Sequence, residues 1–330
     1  MKIYKIGIIG CGGIAQKMAA TLEKMKGVER YAVASRNQEK AEAFANKWGF
    51  TKAYGSYEEL ASDPEVDLIY IATPHAMHYD NAHMCIEKGK PVLCEKAFTA
   101  NARQAEDLLA FAKEKGVFIT EAIWTRYMPL SLKIQELLKE GVIGTPYTLS
   151  ANLSYPISNK ERIIRPELAG GALLDIGVYT LNFAAMAFGS DIAETHSVCQ
   201  KTQTGVDAQE SITLFYKDGR MATLQSSIYA KSDRMGVISG DKGHLIVENI
   251  NCPESVRVVD ENYKTIAVYH APEQISGYEY QVYAPSKLLK RDGWNRRTCS
   301  CRNITHHETN GQPQKRMGSN ISMRLTSSSL

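Results

Sequence analysis

Three small residues, Gly10, Gly12 and Ala15, have the spacing G-x-G-x-x-A near the start of the chain. In a loop between a strand and a helix, the first glycine permits a tight turn and the second lets the backbone approach a pyrophosphate. The small third residue lets the helix pack on the strand, so that the amides of Gly13 and Ile14 face the anion. This loop predicts a dinucleotide-binding site; the alternative is a glycine-rich turn without a ligand.

The preference for one dinucleotide is set about twenty residues further on, where an Asp or Glu at the end of the second strand binds a free 2′-hydroxyl. This chain has Ser35 and Arg36 there. A hydroxyl and a guanidinium bind a 2′-phosphate through charge-assisted hydrogen bonds, whereas a carboxylate repels it. The pair therefore favours NADP over NAD; the alternative is that Arg36 is simply an exposed arginine.

Thr73, Pro74 and His78 follow an apolar run near residues 68 to 72. They are expected at the edge of the sheet where ligands bind in open α/β folds. His75, His78 and His83 could suggest a metal. An i, i+3 pair without a carboxylate or cysteine partner is weak evidence for a metal site, so we expect loop residues beside a cofactor and no metal.

Glu95 and Lys96 end the next predicted strand. Because the carboxyl ends of parallel strands meet at one edge of a sheet, we expect Lys96 to point towards the same ligand site. On position alone, an exposed loop lysine explains the residue equally well.

Asp175, Tyr179 and Asn182 lie at positions i, i+4 and i+7 of a predicted helix. This spacing places the three polar side chains on one helical face. The neighbouring face is apolar and consists of Leu174, Val178, Leu181 and Ala185. A polar stripe beside a buried face indicates a site; the alternative is an early-turn acid bonded to a core tyrosine.

The elements that must position these residues alternate between strand and helix up to about Glu121. Ser56-Tyr57-Glu58-Glu59 is a capping box that starts one of the helices. Such alternation predicts a Rossmann domain over residues 1 to 121, with a doubly wound parallel sheet covered by helices on both faces. Strands are predicted near residues 3 to 9, 28 to 34, 68 to 72, 91 to 94 and 117 to 121.

After Glu121 the pattern changes, and residues 122 to 330 are expected to form a second domain. A helix near residues 130 to 139 and a strand near residues 148 to 155 precede the helix that carries Tyr179. At least six strand-like runs follow between residues 192 and 269, separated by turn signals. The second domain is therefore predicted to be α/β, with a large and mainly antiparallel sheet.

Composition narrows the class of protein. The chain has 330 residues, of which 44% are hydrophobic and 23% charged, as in an ordinary soluble globular protein. The net charge is +3, but nine Lys or Arg against two acids from Pro285 onwards leave residues 1 to 284 at −4, which argues against a nucleic-acid-binding surface. No apolar run approaches the ~20 residues of a membrane span. Seven cysteines without framework spacing suggest reduced thiols in a cytoplasmic protein.

Taken together, these segments resemble the glucose-fructose oxidoreductase / inositol dehydrogenase / rhizopine catabolism (Gfo/Idh/MocA) family of NAD(P)-dependent dehydrogenases. The resemblance covers residues 1 to about 284. A Trp-Thr-Arg segment, and a tyrosine where many members carry histidine, are most similar to the branch of dimeric dihydrodiol dehydrogenases and NADP-dependent xylose dehydrogenases. The motifs that match in order and spacing are the glycine loop, Ala72-Thr73-Pro74 with His78, Cys94-Glu95-Lys96, Glu121 to Tyr127 and Gly170 to Tyr179.

The resemblance implies a Rossmann domain followed by an α/β domain whose open sheet often packs against a second subunit, so a homodimer or higher homo-oligomer is expected. It also implies hydride transfer between the nicotinamide and an alcohol or carbonyl of a sugar, polyol or dihydrodiol. Lys96 would lie near the nicotinamide and substrate, Tyr179 would transfer the proton, and Asp175 would be the acid on the same helix. The matching positions that would line the cofactor or substrate cleft are Thr73, Pro74, His78, Glu95, Trp124 and Arg126.

These implied roles are chemically consistent. A tyrosine with an ordinary pKa, about 10, is a poor base at neutral pH, and a nearby ammonium such as that of Lys96 lowers this pKa by favouring the phenolate. The ammonium can also bind the developing alkoxide or carbonyl oxygen. A catalytically silent NAD(P)-binding sensor on the same fold is one alternative, and a dehydrogenase acting on a non-sugar carbonyl is another.

Two features depart from the family pattern. Ala97 stands where the family usually has proline, so the loop loses the φ restraint that would help to hold Lys96. From Pro285 onwards, a polar and basic tail replaces the family's apolar-faced helices. This tail indicates either a disordered segment or the product of a shifted reading frame, and it would weaken the support of the second domain.

Overall fold

The computed structural model describes residues 3–291, 304–307 and 322–325. The chain divides into two compact units. The first comprises the residues up to Trp124 together with a segment that begins at Ile275, and the second comprises Thr125 to Gln274 together with the described residues 304–307 and 322–325.

The first unit is an alternating α/β structure with a six-stranded parallel sheet. Its elements are β1 (Tyr4–Ile9), α1 (Gly13–Lys24), β2 (Val28–Ala34), α2 (Gln38–Trp48), β3 (Lys52–Tyr54), α3 (Tyr57–Ser62), β4 (Leu68–Ile71), α4 (His78–Glu87), β5 (Val92–Glu95), α5 (Ala102–Lys115) and β6 (Ile119–Ala122). The strand order is β3-β2-β1-β4-β5-β6, and all neighbours are parallel. The order reverses between β1 and β4, which makes their carboxyl ends the switch point where such sheets bind ligands.

Helices cover both faces of this sheet because its central strands are apolar on both sides. All residues of β4 and β5 are buried, and two separate clusters of buried side chains lie on the two faces. Ser56 caps α3 as the capping box predicts, since its Oγ accepts a hydrogen bond from Glu59 N at 3.2 Å. The predicted strands match the observed ones within a few residues. The short β3 was missed because three residues carry no readable period.

The second unit is dominated by an eight-stranded sheet. Its elements are α6 (Pro129–Lys139), β7 (Pro146–Ser154), α7 (Glu161–Ile164), α8 (Val178–Phe188), β8 (Ile192–Lys201), β9 (Asp207–Tyr216), β10 (Met221–Ser227), β11 (Gly236–Gly240), β12 (Gly243–Glu248), β13 (Ser255–Asp260) and β14 (Thr265–His270). The strand order is β14-β13-β12-β11-β7-β10-β9-β8, and only the β7–β10 pair is parallel. The prediction of a Rossmann-type domain followed by a large, mainly antiparallel sheet is confirmed.

The two faces of this second sheet differ in burial. On β9 and β10, Ile212 and its cross-strand partner Leu224 are buried, whereas the alternating residues are more exposed. Val198 on β8 and Phe215 on β9 lie on the more exposed side of the sheet, opposite to Ile212 and Leu224. Val198 is 72% exposed and Phe215 is 38% exposed. We call this side the open face.

A long apolar helical stretch crosses the buried side of this sheet. The stretch Pro166–Phe188 is 23 residues long and apolar enough to span a membrane by length and composition. Of its most apolar window, 78% is buried inside the structure, as expected for the core helix of a folded protein. Asp175 and Asn182 interrupt the apolar residues of this stretch, so it is not one continuous apolar run.

The segment from Ile275 onwards packs with the first unit. Helix α9 (Glu279–Arg291) carries Val282, which is 1% exposed in the same cluster as Ile6 and Ile8. The sequence had predicted that all residues from 122 onwards form the second domain, whereas this segment belongs to the first unit. Helix α9 also continues past Pro285, where no further helix was expected.

Beyond α9, the structure describes two short strands, β15 (Ile304–His307) and β16 (Ser322–Leu325), which pair antiparallel. The rest of the predicted disordered tail lies outside the described residues.

Candidate active site

The glycine loop has the geometry of an anion cradle. Gly10 has φ +100°, and its N–H donates to Ala34 O at 2.9 Å. A methyl group placed on Gly10 would lie 2.9 Å from Ala72 O, whereas one placed on Gly13 would meet nothing within 4 Å. Among the described residues, α1 has neither a capping side chain at Gly12 nor an acid in its first turn. Its first amides can therefore bind a pyrophosphate, which fits a dinucleotide.

The rest of the predicted loop residues support this cradle by packing. Ala15, in the first turn of α1, is fully buried in the core cluster that contains Ile6 and Ile8, and Ile14 packs against this cluster. A larger residue than alanine at position 15 would push the helix away from the sheet.

The carboxyl end of β2 carries the residues predicted to choose between NAD and NADP. Ser35 is 7% exposed, and its Oγ accepts a hydrogen bond from Asn37 N at 3.4 Å. Arg36 is exposed and lies close enough to Tyr57 to act on its phenol. Burial raises the pKa of Tyr57, and the charge of Arg36 opposes this shift.

A second cation near this position was not predicted. Burial raises the pKa of the Cys11 thiol in the glycine loop, and the positive charge of Lys40 on the first turn of α2 opposes this shift. Lys40 and Arg36 therefore both lie near the end of β2. The feature of the sequence that could have indicated this second cation is the position of Lys40, one helical turn after Arg36.

The loop that follows β4 is joined to the loop that follows β5 through His78. Its Nε2 lies 2.8 Å from Thr73 O, and its Nδ1 lies 2.7 Å from Ala97 O. The side chain is fully buried, and burial lowers the pKa of its imidazole. His78 therefore lies between two backbone carbonyls, and its neutral imidazole can donate a hydrogen bond to one of them. Pro74 precedes the short helical turn between Thr73 and His78.

Two buried carboxyl groups hold the turn that carries Lys96. Glu95 Oε1 accepts a hydrogen bond from Tyr70 Oη, and its Oε2 accepts one from Lys96 N at 3.2 Å. Glu121 Oε1 accepts a hydrogen bond from Phe98 N at 3.0 Å. These contacts hold the turn in place where the family's proline is absent.

The electrostatics of this turn are unusual. Glu95 is 5% exposed, and burial raises the pKa of its carboxyl to about 7. The hydrogen bond from Tyr70 and the charge of Lys96 oppose this shift, while the charge of Glu121 adds to it. A carboxyl group with such a pKa beside a lysine is a feature often found in active sites.

Trp124 lies at the end of the first unit and is 7% exposed. Its indole stacks on the ring of Tyr278, with a centroid distance of 4.4 Å and an interplanar angle of 16°. Sequence reasoning missed Tyr278 because the two residues are far apart in the chain.

In the second unit, Asp175 and Tyr179 are both buried, at 5% and 7% exposure. Asp175 Oδ1 accepts a hydrogen bond from the half-exposed Arg162 at 2.6 Å. The segment Leu173–Gly177 forms a π-helical turn before α8 begins. The prediction of one regular α-helical stripe therefore differs from the structure at Asp175, whereas Tyr179 and Asn182 share a face of α8 at i, i+3.

Arg126 was predicted at the cofactor or substrate cleft. In the structure it belongs to the second unit, where its Nε donates to Asn182 Oδ1 at 2.5 Å. The polar residues Arg126, Asn182, Tyr179, Asp175 and Arg162 thus all belong to the second unit.

The predicted residues fall into two groups, one in each unit. In the first, the glycine loop, Thr73 and Lys96 follow β1, β4 and β5, which are neighbours in the sheet, so these residues share its carboxyl edge. In the second, the group is built around α8 and the π-helical turn.

Comparison with known proteins agrees with this geometry. The chain matches the family model described as "Oxidoreductase family, NAD-binding Rossmann fold" over residues 4–122, and the GFO/IDH/MocA C-terminal domain over residues 131–246. The chain belongs to this family of oxidoreductases, as its motifs indicated.

Its relatives include trans-1,2-dihydrobenzene-1,2-diol dehydrogenases. The protein from Xenopus tropicalis is 40% identical over 260 residues, which are 77% of this chain and 78% of the relative. The protein from Mus musculus is 37% identical over 286 residues, 86% of this chain and 84% of the relative. The predicted similarity to the dihydrodiol dehydrogenase branch is confirmed.

Among solved structures, a 3-ketoreductase from Actinomadura kijaniata, KijD10, in complex with NADP and TDP-benzene, superposes with a TM-score of 0.79. It is 26% identical, and the alignment covers 87% of this chain and 90% of KijD10. An aldose-aldose oxidoreductase from Caulobacter crescentus shares the fold, with a TM-score of 0.80 and 20% identity over 87% of this chain and 90% of that protein.

Proposed function

We propose that this oxidoreductase uses NADP to transfer a hydride to or from a secondary alcohol or carbonyl carbon of a dihydrodiol, sugar or polyol. The observation that carries the proposal is the position of Lys96. It follows β5 at the carboxyl edge of the sheet, two strands away from the glycine loop, and its turn is held by buried carboxyl groups. A cation at this edge is suited to bind an oxygen of the reacting substrate.

The preference for NADP is supported by the end of β2. Ser35, Arg36 and Lys40 provide a hydroxyl and two positive charges where NAD-specific enzymes have a carboxylate. KijD10, the similar ketoreductase, was solved with NADP.

In the proposed mechanism, Tyr179 is the acid and base. When an alcohol is oxidised, the phenolate of Tyr179 takes the hydroxyl proton while the carbon–oxygen double bond forms. The bound nicotinamide supplies the acceptor for the hydride that leaves the same carbon. The ammonium of Lys96 favours the phenolate and stabilises the charge on the substrate oxygen. In the reductive direction, Tyr179 returns the proton.

Asp175 would act beside Tyr179 on the same helical segment. Its carboxylate is bound by the Arg162 guanidinium, which favours its charged form and limits its movement. We propose that Asp175 orients the substrate or Tyr179 and does not itself accept the proton.

The substrate class is tested by turnover. The full chain is incubated with NADP or NAD and with trans-1,2-dihydrobenzene-1,2-diol, aldoses or inositols, and formation of the reduced nicotinamide is measured. We expect turnover with NADP, and a loss on the order of 10²-fold or more in Tyr179→Phe and Lys96→Ala.

Matched controls separate chemistry from folding. Tyr147→Phe changes a tyrosine that is 54% exposed, and Lys113→Ala changes an exposed lysine on α5; both variants should keep full activity. Full turnover in Tyr179→Phe and Lys96→Ala would refute the mechanism. NADP binding without turnover of any substrate would instead favour the sensor.

We further propose a homo-oligomer and a cytoplasmic location. The oligomer is supported by the exposed apolar side chains of the open face, such as Val198 and Phe215. Sheet faces of this kind are commonly covered by a partner.

A further inference from the structure

A carboxyl group is buried beneath the helical segment that carries Asp175 and Tyr179. Glu210, on β9, is 8% exposed, and its cross-strand partner on β10, Ser226, is 2% exposed. Ser226 Oγ donates a hydrogen bond to Glu210 Oε1. The other carboxyl oxygen, Oε2, is buried without a hydrogen-bond partner among the residues that the structure describes.

This carboxyl group touches the backbone of the π-helical turn. A methyl group placed on Gly177, the last residue of the turn, would lie 2.2 Å from Glu210 Oε1 and 3.0 Å from Ser226 Oγ. Only glycine permits so close an approach. The distance places the Glu210–Ser226 pair directly beneath the backbone between Asp175 and Tyr179.

A second acid on β9 holds the start of the same segment. Asp207 Oδ2 accepts a hydrogen bond from Leu173 N at 2.5 Å, and a methyl group placed on Gly171 would lie 2.1 Å from its Oδ1. The π-helical turn is therefore supported by Asp207 at its first residue and by Glu210 at its last.

The protonation state of Glu210 follows from these surroundings. Burial raises the pKa of its carboxyl to about 8, the hydrogen bond from Ser226 opposes this shift, and the negative charge of Asp207 and the side-chain interaction between the two acids both add to it. Glu210 is therefore mostly neutral at pH 7. The inward residues on either side of it along β9, Ala208 and Ile212, are apolar and fill such positions without the cost of burying a polar group.

We propose that Glu210, together with Ser226, is a positioning residue that seats the π-helical turn at Gly177 and thereby orients Asp175 and Tyr179. The proposal rests on the proposed function, in which these two side chains act on the substrate. A π-helical turn contains one more residue than an α-helical turn. If it relaxed to an α-helix, the residues on one side would rotate by roughly 100° relative to those on the other.

Ionisation of Glu210 should loosen this turn. The titratable groups around it are Asp207 on its own strand, Cys199 opposite it on β8, and Asp175 in the turn, which is paired with Arg162. Lys231 and Asp233, which follow β10, line a cavity that Glu210 also lines. None of the residues that face it from β10 is charged, since its partner there is Ser226. A charged Glu210 would thus add a buried negative charge close to that of Asp207, without a cation in contact among the described residues.

The proposal is tested by hydrogen exchange at the amides of residues 177 to 179, expressed as protection factors at pH 6.5 and pH 9. In the native chain, protection should fall on the order of tenfold or more over this range, because the folded state disfavours ionised Glu210. Glu210→Gln has the shape of the neutral acid and should keep its protection at both pH values. Glu210→Ala should lose protection at both.

Turnover and cofactor binding are measured on the same proteins, with NADP and trans-1,2-dihydrobenzene-1,2-diol as the probes. Glu210→Ala should lower kcat on the order of tenfold or more, whereas Glu210→Gln should stay within about threefold at pH 7. NADPH binding, measured by fluorescence, should be unchanged in both. Leu214→Ala, at a buried position on the same side of β9, is the control for a packing defect.

The outcomes are distinct. Native protection and kcat in Glu210→Ala would overturn the proposal, as would a pH-independent protection in the native chain. Equal losses of protection and of kcat in Leu214→Ala and Glu210→Ala would show that Glu210 acts only through packing, and would also overturn the proposal. If the native chain turns over no substrate, the proposed function fails, and the exchange measurement still decides whether Glu210 seats the turn.

Discussion

Replacement of Glu95 by glutamine should change how the stability of the first unit depends on pH. Glu95 is buried beneath Lys96, and its pKa is raised from the usual 4.5 to about 7. The folded protein therefore favours the neutral acid. The contribution of Glu95 to the free energy of unfolding is full below pH 4.5 and decreases as the pH rises towards 7, where it levels off.

The size of the effect follows from the shift. One pKa unit corresponds to about 1.4 kcal/mol, so the shift amounts to about 3 kcal/mol in total, of which about 2.5 kcal/mol is lost between pH 5 and pH 8. Glu95→Gln is neutral at every pH and lacks this loss. When the pH is raised from 5 to 8, the free energy of unfolding of Glu95→Gln, measured relative to that of the native chain, should therefore increase by about 2.5 kcal/mol.

The assay is urea unfolding at several pH values, followed by tryptophan fluorescence. Of the three tryptophans, Trp48 and Trp124 belong to the first unit, and their signal reports the unit that contains Glu95. Trp294 lies outside the described residues, so the experiment uses the Trp294→Phe background. Glu114→Gln, on the exposed side of α5, is the matched control and should follow the native curve. Parallel stability curves for the native chain and Glu95→Gln would refute the reasoning.

Three further substitutions test other parts of the structure. Gly10→Ala should weaken NADP binding at least tenfold in a fluorescence titration, because φ +100° disfavours a side chain and the methyl group would lie 2.9 Å from Ala72 O. Gly27→Ala also has a positive φ but meets nothing within 4 Å, so unchanged binding there and a loss at Gly10 would assign the effect to the loop. Arg36→Asp should invert the preference from NADP to NAD in Kd measurements, and an unchanged ratio would contradict the assignment of the 2′-phosphate site. Val198→Asp, on the open face, should lower the mass measured by light scattering to that of a monomer. An unchanged oligomer would show that the open face is not the interface.

The sequence was sufficient to predict most of the first unit up to Trp124 because the signals there are local. The glycine loop, the apolar strands and the Ser56 helix cap each depend on residues a few positions apart, and the structure contains all three. The strand pattern likewise identified the class of the second sheet, since antiparallel strands with one buried face alternate with period two.

The missed features depend on contacts between distant parts of the chain. Glu210 lies beneath Gly177, and Trp124 stacks on Tyr278, although neither pair is close in sequence. The π-helical turn also escaped prediction, because its residues fit an α-helical period equally well. One signal was available: Glu210 is a charged residue at an inward position of an otherwise apolar strand.

The helix that begins at Glu279 has a consequence for how the molecule is assembled. Val282 completes a core whose other buried members, among the described residues, lie before Trp124, so the part of the second unit from Thr125 to Gln274 is an insertion into the first. On the ribosome, the first unit cannot close its core until the second has been synthesised. A stop codon before Val282 should therefore damage the dinucleotide-binding unit, whereas a change of reading frame after Pro285 leaves in place the core side chains that the structure describes.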